Sequence, residues 1–121
     1  MISWNNLDKL TSYQELFEVE EVNLAEVMAG ENGAERVKNY SVPMAEGMAY
    51  NYGAKQVDDN ILAILAKLAD EAQLTEKYEA LYNGEMINTG EKRLVLHQLT
   101  RGQLGEDVIA DGVNKREFYV G

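Results

Sequence analysis

Residues 41–72 read SVPMAEGMAYNYGAKQVDDNILAILAKLADEA, and within this stretch the apolar period changes from two to 3.6. Met48, Tyr50 and Tyr52 alternate with small or polar residues, which is strand periodicity. Val42 precedes Pro43, and a residue before proline is pushed out of the helical region, so Ser41-Val42-Pro43-Met44 is extended. Ala45-Glu46-Gly47 lies between the two runs and carries a glycine able to turn. Residues 41–52 therefore read as a β-hairpin, with the proline marking an edge strand. After it, Asp58 or Asp59 caps a helix in which Ile61, Ile64, Leu65, Leu68 and Ala72 recur at helical spacing. Strand periodicity followed by helical periodicity makes the fold class α+β, mainly helical with one or two β-hairpins.

Working outward, Ser12-Tyr13-Gln14-Glu15, Asn23-Leu24-Ala25-Glu26 and Asn32-Gly33-Ala34-Glu35 each carry a capping-box pattern, with Gly30 as the stop of the second helix. Three short helices before residue 40 follow, with Tyr13, Leu16, Phe17, Leu24, Val27, Met28 and Val37 expected to face inward. Downstream, Leu74, Tyr78 and Leu81 mark a helix ending at Asn83-Gly84. Asn88-Thr89-Gly90-Glu91 is a further capping box, predicting a helix through Leu99 that stops before Gly102. Val108-Ile109-Ala110, Asp111-Gly112 and Val113 read as strand, turn and strand. Glu117-Phe118-Tyr119-Val120-Gly121 is apolar and strand-like, an ending that reads as a chain cut within an element. No repeat, linker or internal boundary is visible, so residues 1–121 read as a single unit.

The 21 acidic residues against 11 basic ones give a net charge of -10. A nucleic-acid backbone is repelled by that balance, and an anionic membrane surface is disfavoured for the same reason. With no cysteine, disulfides, thiolate zinc sites and thiol nucleophiles are excluded. The start lacks the basic and apolar regions of a signal peptide, and the apolar run 61–69 is interrupted by Lys67 and too short to span a bilayer. A cytoplasmic location is the expectation.

Chemistry is scarce. Nucleotide, metalloprotease and serine-hydrolase motifs are missing. His97 is the one histidine. On the predicted helix its neighbours are Arg93, Leu94 and Arg101, with Glu85 and Glu91 close in sequence. No carboxylate on the same face orients it, so a hydrogen-bonded, partly buried structural role is expected rather than catalysis. Glu15, Glu18, Glu20, Glu21, Glu26, Glu31 and Glu35 read as solvated helix faces rather than an acid/base pair. Asp58-Asp59 reads as a cap rather than a cation site. Tyr50, Tyr52, Tyr78 and Tyr82 read as packing residues with a polar edge rather than a sugar-stacking platform. No metal site is expected.

The run from Leu81 to His97, LYNGEMINTGEKRLVLH, resembles a segment of glucose-6-phosphate isomerases that reads approximately F-x-G-E-x-I-N-x-T-E-x-R-A-V-L-H. Gly84, Glu85, Ile87, Asn88, Glu91, Arg93, Val95, Leu96 and His97 match it, and Leu99 and Arg101 fall near the continuation. The hairpin ending in Tyr50-Asn51-Tyr52 and the following helix are similar to the family's D-Y-S-K-N strand end, so the resemblance covers roughly residues 40 to 101. Gly90 and Leu94 depart from the motif's usual Thr and Ala, and Ala54 takes the place of its lysine, with Lys55 one position later.

The resemblance implies the N-terminal segment of an aldose–ketose isomerase that interconverts glucose 6-phosphate and fructose 6-phosphate by proton transfer through a cis-enediol, without metal or nucleotide cofactor. It implies a homodimeric full-length enzyme in which the glutamate base, the phosphate loop and the catalytic His and Lys lie beyond this segment. No catalytic residue is therefore carried over. Gly84, Glu85, Asn88, Glu91, Arg93 and His97 are motif positions with architectural roles, Arg93 and Arg101 pinning their helix to a longer chain. Two other readings are open: a stand-alone, non-catalytic interaction module using an apolar surface around 108–120, and a small sugar-phosphate binder. The acidic balance and the lack of a basic cradle disfavour the second.

Overall fold

A computed structural model describes residues 1–85, 87–101 and 106–120. Its elements are the helices α1 (Thr11–Glu15), α2 (Leu24–Ala29) and α3 (Gly33–Asn39), the strands β1 (Ser41–Pro43) and β2 (Ala49–Asn51), α4 (Asp59–Glu71), α5 (Leu74–Tyr82), β3 (Ile109–Ala110), β4 (Val113–Asn114) and α6 (Lys115–Val120). The expected α+β class, mainly helical with two small antiparallel hairpins, is what forms. The chain divides into two compact units, Ser12–Ala66 and a second built from Met1–Thr11 with Lys67–Gly121.

In the unit Ser12–Ala66, α2 is capped as its sequence demands: the Asn23 side chain accepts from the Glu26 amide at 3.3 Å. The neighbouring Asn32 makes no such bond, because its backbone (φ -95°, ψ 6°) is outside the extended region a capping residue needs. Instead, α3 begins where Gly33 passes the α2 backbone so closely that a Cβ would lie 2.1 Å from the Met28 carbonyl oxygen. Ser12 is not the cap of α1 but sits inside its first turn, buried. Gly30 stops α2 as expected, though with φ -73°, so the stop does not use glycine's left-handed freedom.

The first hairpin pairs Ser41 with Asn51, Val42 with Tyr50 and Pro43 with Ala49. Backbone bonds join Met44 to Met48 (2.8 Å) and Tyr52 to Tyr40 (2.9 Å). Since bonded and non-bonded pairs alternate in an antiparallel ladder, Pro43 falls at a non-bonded position, where its missing N–H is not required. Glu46 and Gly47 close the turn at φ 58° and 73°, the signs of a primed hairpin turn. Arg36 ties α3 to the following loop: Nε donates to the Gly53 carbonyl and Nη2 to those of Lys55 and Val57, each at 2.7 Å. Asp58 caps α4 by accepting from the Ile61 amide at 2.8 Å, and Ile61 and Ile64 are buried.

In the other unit, Gln73 turns the chain between α4 and α5 with φ 54°, while its side chain accepts from the Ser3 amide and donates to the Met1 carbonyl. Glu71 accepts from the Thr11 amide at 2.8 Å, and the Lys77 ammonium lies over the Trp4 ring. These contacts hold the first residues of the chain. Among the described residues, the buried apolar side chains here are Ala80, Leu99 and Val108.

Two expected elements are replaced. The helix predicted from Asn88 to Leu99 does not form: residues 88–93 make a turn closed by a bridge between Asn88 and Arg93, residues 94–96 have no regular structure, and a short 3-10 helix runs His97–Arg101. Thr89-Gly90 is a poor helix start, and Lys92 at φ 55° ends any helical path. The predicted stop at Gly102 lies outside the described residues, as do Met86 and Gly121. Residues 117–120 of the expected strand lie instead in the helix α6, whose first turn is capped by Asn114 accepting from the Glu117 amide at 3.3 Å. Of the residues expected inside, Phe17, Met28 and Val37 are exposed and Val22 is buried in their stead.

Candidate functional site

The sequence motif folds around the C-terminus of α5. The Asn83 amide donates to the Glu79 carbonyl, Gly84 to Leu81 at 3.1 Å, and Glu85 to Ala80 at 2.9 Å. Together with φ 73° at Gly84, these bonds are a Schellman stop, which needs a left-handed residue at this position. Gly84 has a second constraint: a Cβ there would lie 2.3 and 2.8 Å from the two methyl carbons of buried Val108.

Side chains from later in the chain also reach the α5 end. Gln98 Nε2 donates to the Leu81 carbonyl at 2.6 Å, and Arg116 Nη2 donates to that of Tyr82 at 2.5 Å. The four carbonyls that a helix leaves without partners, 79 through 82, are thereby all satisfied. Arg116 is fully buried, donates Nε to the Glu106 carbonyl at 2.6 Å, and has an Nη1 with no partner among the described residues. Its charge sits at the negative end of the α5 dipole, the favourable place for a buried cation.

Asn88 and Glu91 do interact as their spacing suggests, but in a turn. Asn88 Oδ1 accepts from the Glu91 amide, and its Nδ2 donates to the Glu91 carboxylate, both at 3.2 Å. The Arg93 amide returns to the Asn88 carbonyl at 3.2 Å. The side chains of Glu85, Glu91 and Arg93 are exposed. His97 is exposed rather than partly buried, since no helix 91–99 carries it inward; its carbonyl accepts from the Thr100 hydroxyl at 2.9 Å. Arg93 and Arg101 do not share a helix.

The geometry offers little chemistry. A hollow of about 170 Å³ beside His97 is lined by Leu96, Thr100 and Tyr119, with no carboxylate among its described lining residues to orient the imidazole. It is also below the volume usual for a small-molecule site. A shallow cleft of about 300 Å³ in the other unit is lined by Val27, Asn32, Glu35, Arg36, Asn39, Tyr40 and Asp59. There the Arg36 guanidinium commits Nε and Nη2 to three main-chain carbonyls and stacks over Tyr40. Tyr40 donates to Asp59 at 2.9 Å, and desolvation, followed by that acidic partner, pushes its phenol above the ordinary tyrosine range. Among the described residues, no group of His, Asp and Glu is placed to hold a metal ion. No described helix is long and apolar enough to cross a membrane. The glutamates of α1–α3 are exposed apart from partly buried Glu15, and Tyr50 and Tyr78 are open rather than packed away.

Residues 51–117 match the family model of phosphoglucose isomerase. The chain belongs to the phosphoglucose isomerase family. It is 54% identical over 124 residues to the glucose-6-phosphate isomerase of Treponema denticola, a match covering 98% of this chain and 24% of that relative. To the same enzyme of Borreliella afzelii it is 42% identical over 121 residues, 98% of this chain and 22% of the relative. The Treponema pallidum enzyme is 47% identical over 100 residues, 83% of this chain and 19% of the relative. The chain thus spans about a quarter of the length of the curated relatives it matches.

The family's matched stretch begins inside β2 and ends within α6, so it contains the whole α5 end, the 88–93 turn and Arg116. Sequence reasoning reached Gly84, Asn88 and Glu91 but missed Gln98, Val108 and Arg116. No local pattern announces a residue whose partner is a carbonyl thirty-four positions away.

Proposed function

We propose that this chain is the N-terminal segment, acting as one piece, of a cytoplasmic glucose-6-phosphate isomerase. The full-length enzyme interconverts glucose 6-phosphate and fructose 6-phosphate by proton transfer through a cis-enediol, works as a homodimer, and takes a sugar phosphate as its substrate. In this reading residues 1–121 contribute framework and no reacting group. The supporting observation is the use made of the motif: Gly84, Asn88, Glu91 and the buried Arg116 are engaged in ending α5 and shaping the turn after it, within a segment that is a quarter of its relatives. Reading the coding frame past the codon for Gly121 tests this. A frame continuing with a Ser/Thr-rich phosphate loop and a distal Glu, His and Lys supports it.

An interaction module is the second reading. It is favoured by the exposed Ile109, Phe118 and Tyr119 of the tail, which form apolar surface around the predicted 108–120 stretch. A stop codon directly after Gly121 would make it the leading one.

A further inference from the structure

The first hairpin leaves most of its apolar side chains uncovered, and its other face is open as well. Its register places Tyr40, Val42, Met44, Met48, Tyr50 and Tyr52 on one face and Ser41, Pro43, Ala49 and Asn51 on the other. The hairpin is tied to its own unit at one end: Asn51 Nδ2 donates to the Val37 carbonyl at 2.6 Å, its Oδ1 accepts from the Gly53 amide, and the Tyr40 hydroxyl donates to Asp59. The apolar face begins with the stacked rings of Tyr40, Tyr52 and Tyr50 and continues, open, over Val42, Met44 and Met48. Val42, Met44, Met48 and Tyr50 are each 45–58% exposed. An antiparallel hairpin ordinarily turns its apolar face to the core and its polar face to water.

We infer that this face is a docking strip for the polypeptide that the full-length enzyme carries beyond residue 121. The inference rests on the proposed function. Three observations select that occupant. The relatives are about four times as long as this chain, so most of the family's polypeptide is available to cover it. Four half-exposed side chains present roughly 300–400 Å², well short of the ~800 Å² per partner of a stable association between separate molecules. A covalently continuous partner is exempt from most of the entropic cost of association, so a strip this small suffices for it. A second copy is disfavoured further because each chain carries a net charge of -10.

Met44 and Met48 are built-in probes, since thioether oxidation by peroxide follows exposure. The measurement is peroxide oxidation, read by peptide mass spectrometry, in the 121-residue chain and in its own reading frame carried to the family's length. In the short chain Met44 and Met48 are expected to oxidise at rates close to that of Met1. In the long chain they should oxidise at least tenfold more slowly while Met1 stays fast. Met44→Lys should leave the melting temperature of the short chain unchanged and lower that of the long one. A long chain that isomerises glucose 6-phosphate but leaves Met44 and Met48 as reactive as Met1 overturns the docking inference and leaves the proposed function standing. Concentration-dependent protection in the short chain assigns the strip to a second copy and also overturns it. A frame that stops at Gly121 removes both.

Discussion

Replacing Gly84 by alanine tests the physical reading of the motif at its tightest point. Two costs combine. Gly84 has φ 73°, a conformation that costs an L-residue roughly 1–2 kcal/mol. The new methyl would also lie 2.3 Å from one Val108 methyl and 2.8 Å from the other. Val108 is buried, so relief requires moving packed atoms, which costs roughly a further 1–3 kcal/mol. The sum is about 2–5 kcal/mol. Gly112→Ala is the control: it has φ 74° in the same unit, but a Cβ there meets nothing within 4 Å, so only the first cost applies. Urea unfolding of both variants and the parent measures the difference. A double-mutant cycle with Val108→Ala should recover part of the Gly84→Ala loss, because the clashing methyls are gone. If Gly84→Ala costs no more than Gly112→Ala, the close passage of Val108 over the α5 stop is not what this glycine serves.

Other expectations follow from the same geometry. Arg116→Met leaves the partly buried carbonyls of Tyr82 and Glu106 without their donor, and should destabilise the chain by roughly 1–3 kcal/mol in urea titration. Asn23→Ala removes the α2 cap and should cost about 1 kcal/mol, whereas Asn32→Ala, where no cap bond exists, should be nearly neutral. Gly33→Ala should be severe despite its helical backbone, since its Cβ would collide with the Met28 carbonyl; circular dichroism and urea titration would register the loss. Tyr40 favours its protonated form in the folded state, so its contribution is fully present below the ordinary tyrosine pKa of about 10 and is lost as pH rises through the raised folded value. Phenolate absorbance should show a late-ionising tyrosine that Tyr40→Phe abolishes.

How far local sequence reaches is shown by one pattern used four times. Asn-x-x-Glu at 23–26 caps a helix, as the pattern alone suggests. At 32–35 a helix forms without the cap bond, because a glycine contact with the preceding helix sets where it starts. At 88–91 both side-chain bonds form, yet they close a turn, since an Asn side chain can accept from the amide three residues on without a helix following, and Thr89-Gly90 does not favour propagation. At 114–117 the pattern caps α6 under residues whose β-branched and aromatic character had pointed to a strand. Periodicity was more dependable where it was sustained: the 41–52 hairpin, α4 and α5 all stand where their apolar spacing placed them. The exposure of Phe17, Val37 and the hairpin face was illegible, because an apolar residue looks the same in sequence whether or not the fold brings a cover to it. Arg116 was illegible for a related reason, its partners being main-chain carbonyls that no side-chain pattern encodes.

The proposed function gives residues 1–121 a framework role and no reacting group. The most direct test is the conversion of glucose 6-phosphate to fructose 6-phosphate by the 121-residue chain, purified free of host isomerase. No turnover above the buffer control is expected at any concentration of the chain. Turnover that rises in proportion to the chain and persists through successive purification steps would contradict it and require a reacting group among the residues assigned here to structure.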